Sequence, residues 1–326
     1  MKVGLFVNTQ FPEGVSVADR IPELVAQVRA ARDGGFASLW FPHHWLTLPL
    51  QMLQLGPVMG YLAPHAQGMT IGPNILILPP LNPVHVAEEA ATFDVLTGGN
   101  YILGLGLGHR RPEFDAFRIP LADRAPRFTE SIALMRRLWT EDRVTHEGRF
   151  YTVKDAGIGV KPVRPGGPPL YIAGQATVSV RRAARIGDAW LAVNSGGLGT
   201  VVPLMRTYRA ALAEYGRTPI EFPITLECYV GANQASALEE CRGPLEYKYA
   251  AYAAWGLPDQ TRVSPDFAEF ARDRFIIGDK VRVKEEVARY RELLGVDHFI
   301  MRCQWPGLPQ EQALGTIRRL GEIFAA

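Results

Sequence analysis

Met69-Thr-Ile-Gly-Pro-Asn-Ile-Leu-Ile-Leu78, the helix opened by Pro83 and closed by Gly98-Gly99, and Tyr101-Ile-Leu-Gly-Leu-Gly-Leu-Gly108 together decide how this chain folds. Met69 to Leu78 is an apolar run rich in β-branched residues that stops at Pro79-Pro80, the pattern of a strand covered on both faces. Pro83 at a first helical position, with Val84, Ala87, Ala91 and Val95 at three-to-four spacing, predicts an amphipathic helix. Tyr101 to Gly108 is a second buried strand, and its glycines remove side chains where something must approach the backbone closely. Strand, helix and strand in this order predict parallel α/β architecture.

Three cations follow at once. His109, Arg110 and Arg111 lie just past the second strand, and Arg124 and Arg127 open the next amphipathic helix. Cationic groups gathered at strand ends suit an anionic cofactor. Arg124 at a helix start opposes the dipole preference, because cations favour C-termini, so anion binding explains it better than helix stabilisation. Arg110 and Arg111 read more readily as a solvated pair. Gly104, Gly106 and Gly108 do not form a dinucleotide fingerprint, since the required later glycines are His109 or Arg111.

The 326 residues, 47% hydrophobic, can bury a large core and suit one α/β barrel domain over residues 1–326. A net charge of +2 without a dense basic block gives no nucleic-acid footprint. The sequence offers neither an apolar run of membrane-spanning length nor a secretory N-terminus, so a cytoplasmic protein is expected. Cys228, Cys241 and Cys303 form no C-x-x-C pair and no H-E-x-x-H occurs, which predicts free thiols and no metal.

Along the rest of the chain, apolar runs near residues 3, 39, 171, 191, 226 and 300 join those near 73 and 103 to give eight strands, each followed by a helical pattern. The fold class is therefore a (β/α)8 TIM barrel with an insertion between strand 7 and the last strand, where Pro244, Pro258 and Pro265 punctuate helical pieces. A doubly wound open sheet is the second choice. A small hairpin is expected over Glu147 to Tyr151. At the end of strand two stand His43 and His44. Because side chains alternate along a strand, one should face the barrel mouth and the other the helix layer or solvent.

The order Trp40-Phe-Pro-His-His44, Pro83-Val-His-Val-Ala-Glu-Glu89, Phe93-Asp-Val-Leu-Thr-Gly-Gly99, Gly104-x-Gly-x-Gly108 with Glu113-Phe114 and Arg124, Gly148-x-Phe-Tyr151 and Pro168-Pro-x-Tyr-x-Ala-Gly174 resembles the bacterial luciferase-like flavin-dependent monooxygenases over nearly the whole chain. The resemblance implies a (β/α)8 barrel, a homodimer, and a two-component enzyme. In that scheme a separate NAD(P)H:flavin reductase supplies reduced FMN, and O2 is used to oxygenate a small, largely apolar organic substrate. A branch of the family uses deazaflavin F420, so an F420-dependent oxidoreductase is the alternative; a flavin-binding protein without turnover is a third reading.

Carried onto this sequence, the resemblance implies a non-prolyl cis peptide between Asn74 and Ile75 under the flavin ring. It further implies a phosphate site from Leu107, Gly108, His109, Arg124, Gln175, Ala176 and Ser179. Leu107 stands where luciferase has an arginine, leaving Arg110 or Arg111 to supply that charge, and Ala176 replaces the usual serine. His44 matches a family histidine near the reactive edge of the flavin and is the candidate donor or general base, while His43 replaces a glutamate. Trp45, Phe11, Tyr229, Trp190 and Trp305 are candidates for an apolar substrate pocket.

Overall fold

The computed structural model describes residues 1–256 and 266–324; Pro258 and Pro265 lie outside them. Eight parallel strands form the centre: β1 (Lys2–Phe6), β2 (Ser38–Phe41), β3 in two pieces (Thr70–Pro73 and Leu76–Ile77), β4 (Leu103–Gly106), β5 (Leu170–Ala173), β6 (Ala189–Val193), β7 (Pro223–Val230) and β8 (His298–Arg302). β1 lies between β2 and β8, and the order runs on through β7, β6 and β5 to β4. The two pieces of β3 close the ring, Thr70–Pro73 pairing with β2 and Leu76–Ile77 with β4. Between them the Asn74–Ile75 peptide is cis.

The glycines of this region explain the tight seam. A Cβ on Gly104 would overlap the carbonyl oxygen of Pro73, one on Gly72 the carbonyl oxygen of Ile102, and one on Gly106 the side chain of Ile75. They let the split β3 lie directly against β4. Inward-facing Phe6, Trp40, Ile102, Tyr171, Leu191 and Ile300 fill the barrel, and the alternate residues, such as Leu5, Leu39 and Met301, face the helices.

The outer layer comprises α1 (Val17–Asp33), α2 (Leu55–Leu62), α3 (Pro83–Leu96), α4 (Arg111–Ala116), α5 (Arg124–Thr140), α6 (Thr177–Ile186) and α7 (Leu198–Glu214). α8 (Gln234–Ala254), α9 (Phe267–Ala271), α10 (Lys280–Leu294) and α11 (Gln310–Phe324) complete it. The insertion between β7 and β8 holds α8, α9, a short strand Ile276–Gly278 parallel to the end of β7, and α10. In α3 the buried face is Val86, Ala87, Ala90 and Ala91, whereas Val95 is 45% exposed. The expected stripe is thus rotated: Ala87 and Ala91 are buried as expected, and α3 packs against α5, whose Trp139 Nε1 donates to the Ala87 carbonyl.

The hairpin is formed by Val144–Glu147 and Thr152–Ala156, one segment on each side of the span where it was expected. Residues 148–151 are its turn. The Glu130 carboxylate of α5 holds that turn by accepting from the backbone N–H of Tyr151 (3.0 Å) and Phe150 (3.2 Å), and it bonds His146 Nε2 at 3.2 Å.

At the N-terminal end of the barrel, His298 bridges Glu221 (Nδ1 to Oε1, 2.6 Å) and Ser38 (Nε2 to Oγ, 2.6 Å), and Trp40 Nε1 donates to the same Ser38 oxygen at 2.7 Å. Gly4 leaves the room that Ser38 needs. Burial alone would raise the Glu221 carboxyl, but His298, Lys2 and Tyr171 pull it down to about 2. Among the described residues no helix is long and apolar enough to cross a membrane, and no group of three or more His, Cys, Asp or Glu is placed to hold a metal ion.

Candidate active site

β2 ends at Phe41, and the next residues run over the C-terminal mouth of the barrel. His44 Nδ1 lies 2.9 Å from Glu113 Oε1 on α4, which leaves Nε2 as the nitrogen available to the cleft that His44 lines. Glu113 is fully buried, and the same oxygen accepts from the Trp45 N–H (3.0 Å) and Arg110 Nη1 (3.2 Å). Burial works to raise this carboxyl, yet the His44 hydrogen bond, the Trp45 N–H and the Arg110 charge outweigh it and hold it below the usual carboxylate range. Glu113 therefore stands as a carboxylate behind the imidazole. Only the Glu113-Phe114 pair in the family-like order hinted at it.

Arg110 is not solvated. It is 5% exposed, donates to the carbonyls of Trp45 (2.6 Å) and Leu46 (2.9 Å), and lies 4.3 Å above the Trp255 ring. It fastens the His44 loop to α4 and is committed there, so it does not supply a phosphate charge. Arg111 is exposed at the start of α4.

His43 points the other way. It is buried, stacks edge-on at 4.1 Å against Trp45, and its Nδ1 accepts the Ile77 N–H at 3.2 Å. Burial, then the neighbouring His44, push its pKa down to about 3, so it is a neutral acceptor that anchors the second piece of β3. The two histidines face different ways as expected, but β2 ends at Phe41 and both stand in the loop beyond it, so their directions are set by the contacts with Ile77, Trp45 and Glu113 rather than by strand alternation.

One cleft at the barrel mouth brings together His44, Asn74, His109 and Gln175. Asn74 Nδ2 donates to Thr225 Oγ1 at 2.7 Å, and Gln175 Oε1 accepts from Ser195 Oγ at 3.2 Å. Ile75 packs beneath Gly106 next to the cleft. Leu107 and Gly108 form the turn out of β4. Gly108 has φ +71°, and a Cβ there would press on Ile77 and Phe114. His109 lies at the cleft rim, open to solvent on one side. Its imidazole is held below its ordinary value, first by burial of the ring and then by charge on His44, Arg110 and Arg124.

Ala176, Ser179 and Arg124 lie apart from that cleft wall. Ala176 is the N-cap of α6 and offers no side-chain cap, and Ser179 packs under Gly174. Arg124 is half-buried at the start of α5, near enough to Arg182 of α6 for their charges to act on each other. Burial, then Arg185 and Arg124, hold the Arg182 guanidinium below its ordinary value. Among the described residues Arg124, Arg182 and Arg185 have no ion-pair partner. Arg182 and Arg185 stand in the later part of α6, Arg185 in its last turn, while Ala176 leaves the N-terminus uncapped, so positive charge runs along the helix and fits a phosphate with further anionic groups. Arg182 and Arg185, one turn apart in the Thr177–Ile186 helix, were not singled out in the sequence, although their spacing was readable.

The aromatic residues expected around a substrate are elsewhere. Phe11, Trp190, Tyr229 and Trp305 are core, and Trp45 packs on His43 and Phe117. The cleft carries Phe6, Tyr249 and Tyr252, and a charged group that the sequence did not reveal: Glu227 of β7, Lys248 of α8 and Arg302 of β8. Lys248 Nζ bonds Glu227 Oε1, and Trp305 Nε1 donates to Glu227 Oε2. Among the described residues Arg302 donates to neutral acceptors, Tyr252 Oη (3.2 Å), Gln10 Oε1 (3.1 Å) and Asn8 Oδ1 (3.3 Å), and lies 4.4 Å from the Phe6 ring.

The family model described as luciferase-like monooxygenase matches residues 1–298. The F420-dependent glucose-6-phosphate dehydrogenase of Intrasporangium calvum is 27% identical over 310 residues, covering 90% of this chain and 91% of that protein. Among solved structures, a monooxygenase from Streptomyces bottropensis aligns with a TM-score of 0.88 at 22% identity, over 100% of this chain and 99% of that one. An F420-dependent secondary alcohol dehydrogenase, solved with an F420–acetone adduct, aligns with a TM-score of 0.80 at 19% identity, over 99% and 98%. These two likenesses bear on the fold alone. With its barrel, its split third strand and a family match across residues 1–298, this chain belongs to the luciferase-like monooxygenase family.

Proposed function

We propose that this protein is an F420-dependent oxidoreductase acting on an alcohol or the corresponding carbonyl compound. The observation that carries the reading is the buried Glu113 carboxylate 2.9 Å behind His44 at the cleft, an arrangement suited to taking up a hydroxyl proton. Similarity to F420-dependent glucose-6-phosphate dehydrogenases supports the same reading, as do Arg124, Arg182 and Arg185, which have no ion-pair partner among the described residues. When bound, the deazaflavin exchanges a hydride with the substrate carbon.

The residues then divide the work. His44 Nε2 takes the hydroxyl proton in the oxidative direction and returns it in the reverse direction. Glu113 steadies the imidazolium through Nδ1, and Arg110 and the Trp45 N–H keep Glu113 ionised. Arg124 and the open N-terminus of α6 would hold the cofactor phosphate, and Arg182 with Arg185 would meet the carboxylates of its glutamate tail. Asn74 and the turn Leu107–His109 would border the ring.

The second reading, an FMN-dependent monooxygenase fed by a separate reductase and using O2, is favoured by the match to the luciferase-like monooxygenase family. The charged cleft floor suits a largely apolar substrate poorly. Titration with F420 and with FMN separates the two. Tight F420 binding together with alcohol-dependent loss of the oxidised deazaflavin's visible absorbance supports the first. Preference for FMN with O2 consumption supports the second.

A further inference from the structure

The charged floor of the cleft has its own requirement. Lys248 is 2% exposed and Arg302 5% exposed, and both line the cleft. Among the described residues the acid facing them is Glu227, which burial would raise but which Lys248 and Arg302 hold below the usual carboxylate range. Among the described residues these two buried cations face one carboxylate, which leaves one positive charge without a counter-charge. That surplus sits on Arg302, whose acceptors Asn8, Gln10 and Tyr252 are all neutral and whose Nε has no partner. A buried cation without a counter-charge is costly unless a ligand supplies the anion. The surplus is a single charge, which matches a carboxylate and is less than a phosphate dianion carries.

We propose that Arg302, with the Lys248–Glu227 pair beside it, forms a subsite for the carboxylate of a monoanionic substrate, so that the molecule oxidised or reduced opposite His44 is a hydroxy acid or oxo acid. This rests on the reading of the cleft as the substrate pocket of a dehydrogenase. The carboxylate would fix the substrate at one end and His44 would meet its hydroxyl at the other, so specificity follows from charge as well as shape.

The test uses calorimetric titration of the cofactor-free protein, which makes it independent of whether F420 is the cofactor. The probes are lactate and 3-hydroxybutyrate, the neutral isostere lactamide, 2-butanol, inorganic phosphate and glucose 6-phosphate. The expected result is saturable binding of the hydroxy acids, at least tenfold weaker binding of every other probe, and at least a tenfold loss of hydroxy-acid affinity in Arg302→Gln. Lactamide binding as well as lactate, or phosphate or glucose 6-phosphate binding more tightly, overturns the proposal with the wild-type protein alone, so it stays testable if the variant does not fold. Hydroxy-acid binding by a protein that takes no F420 would leave the subsite standing and remove only the deazaflavin reading.

Discussion

Glu113 Oε1 stands 2.9 Å from His44 Nδ1 although the two residues are 69 positions apart in the chain, and the contact fixes which imidazole nitrogen faces the cleft. Arg110 and the Trp45 N–H converge on the same oxygen, so the pair is held from both sides. If Glu113 serves catalysis only through His44, removing it after His44 is gone should change nothing further. Glu113→Gln is expected to lower kcat on the order of 10²-fold. The double variant His44→Gln with Glu113→Gln should be no slower than His44→Gln alone. Steady-state kinetics on the three variants checks this, and additive losses would refute the coupling.

Arg124 has no acidic partner among the described residues and lies close to Arg182. Replacing it with alanine breaks no ion pair among the described residues, so Arg124→Ala should leave Tm nearly unchanged. Loss of one charge-assisted hydrogen bond costs about 2 kcal/mol, or roughly thirtyfold in cofactor affinity. Fluorescence titration of the variant at two salt concentrations reads both the loss and a reduced salt dependence. Unchanged affinity would take Arg124 out of the phosphate site.

The seam between β3 and β4 predicts a graded pair of substitutions. A Cβ at Gly104 meets the backbone oxygen of Pro73, which cannot move without shifting the strand, whereas a Cβ at Gly106 meets the rotatable Ile75 side chain. Gly106→Ala should cost about 1–3 kcal/mol and Gly104→Ala more than that. Denaturant unfolding of both variants measures it, and equal or reversed losses would contradict the close approach of the strands.

Acid stability follows from Glu221. Its folded-state pKa is drawn down to about 2, below the ordinary carboxylate value, by the buried His298 and by Lys2 and Tyr171. A depressed carboxylate contributes its stability above the unfolded-state value, and the contribution fades as pH falls from about 4.5 toward 2. The amount is on the order of 3 kcal/mol. Unfolding free energy measured across that window should fall steeply in the wild type and less in Glu221→Gln; parallel curves would show that Glu221 is not responsible.

How much of this was legible depended on the distance over which each feature is assembled. The barrel was readable because its strands are covered on both faces and appear as continuous apolar runs. The opposite directions of His43 and His44 were expected from strand alternation, yet both lie past the strand's end at Phe41 and are oriented by Ile77 and Glu113, partners distant in sequence. The Asn74–Ile75 cis bond was reachable only through resemblance, since nothing local in Pro73-Asn-Ile-Leu76 demands it. Arg110 was misread because its acceptors, the carbonyls of Trp45 and Leu46, come from a loop more than 60 residues earlier. Glu227, Lys248 and Arg302 come from β7, α8 and β8, and no spacing in the sequence announces their meeting.

Equilibrium titration of the purified protein with oxidised F420 and with FMN, followed by fluorescence, decides which cofactor the cleft takes. Saturable F420 binding that weakens in Arg124→Ala and Arg182→Ala is expected, with FMN binding at least tenfold weaker because FMN lacks a glutamate tail to meet Arg182 and Arg185. Tighter binding of FMN than of F420, unaffected by Arg182→Ala, would contradict the deazaflavin reading.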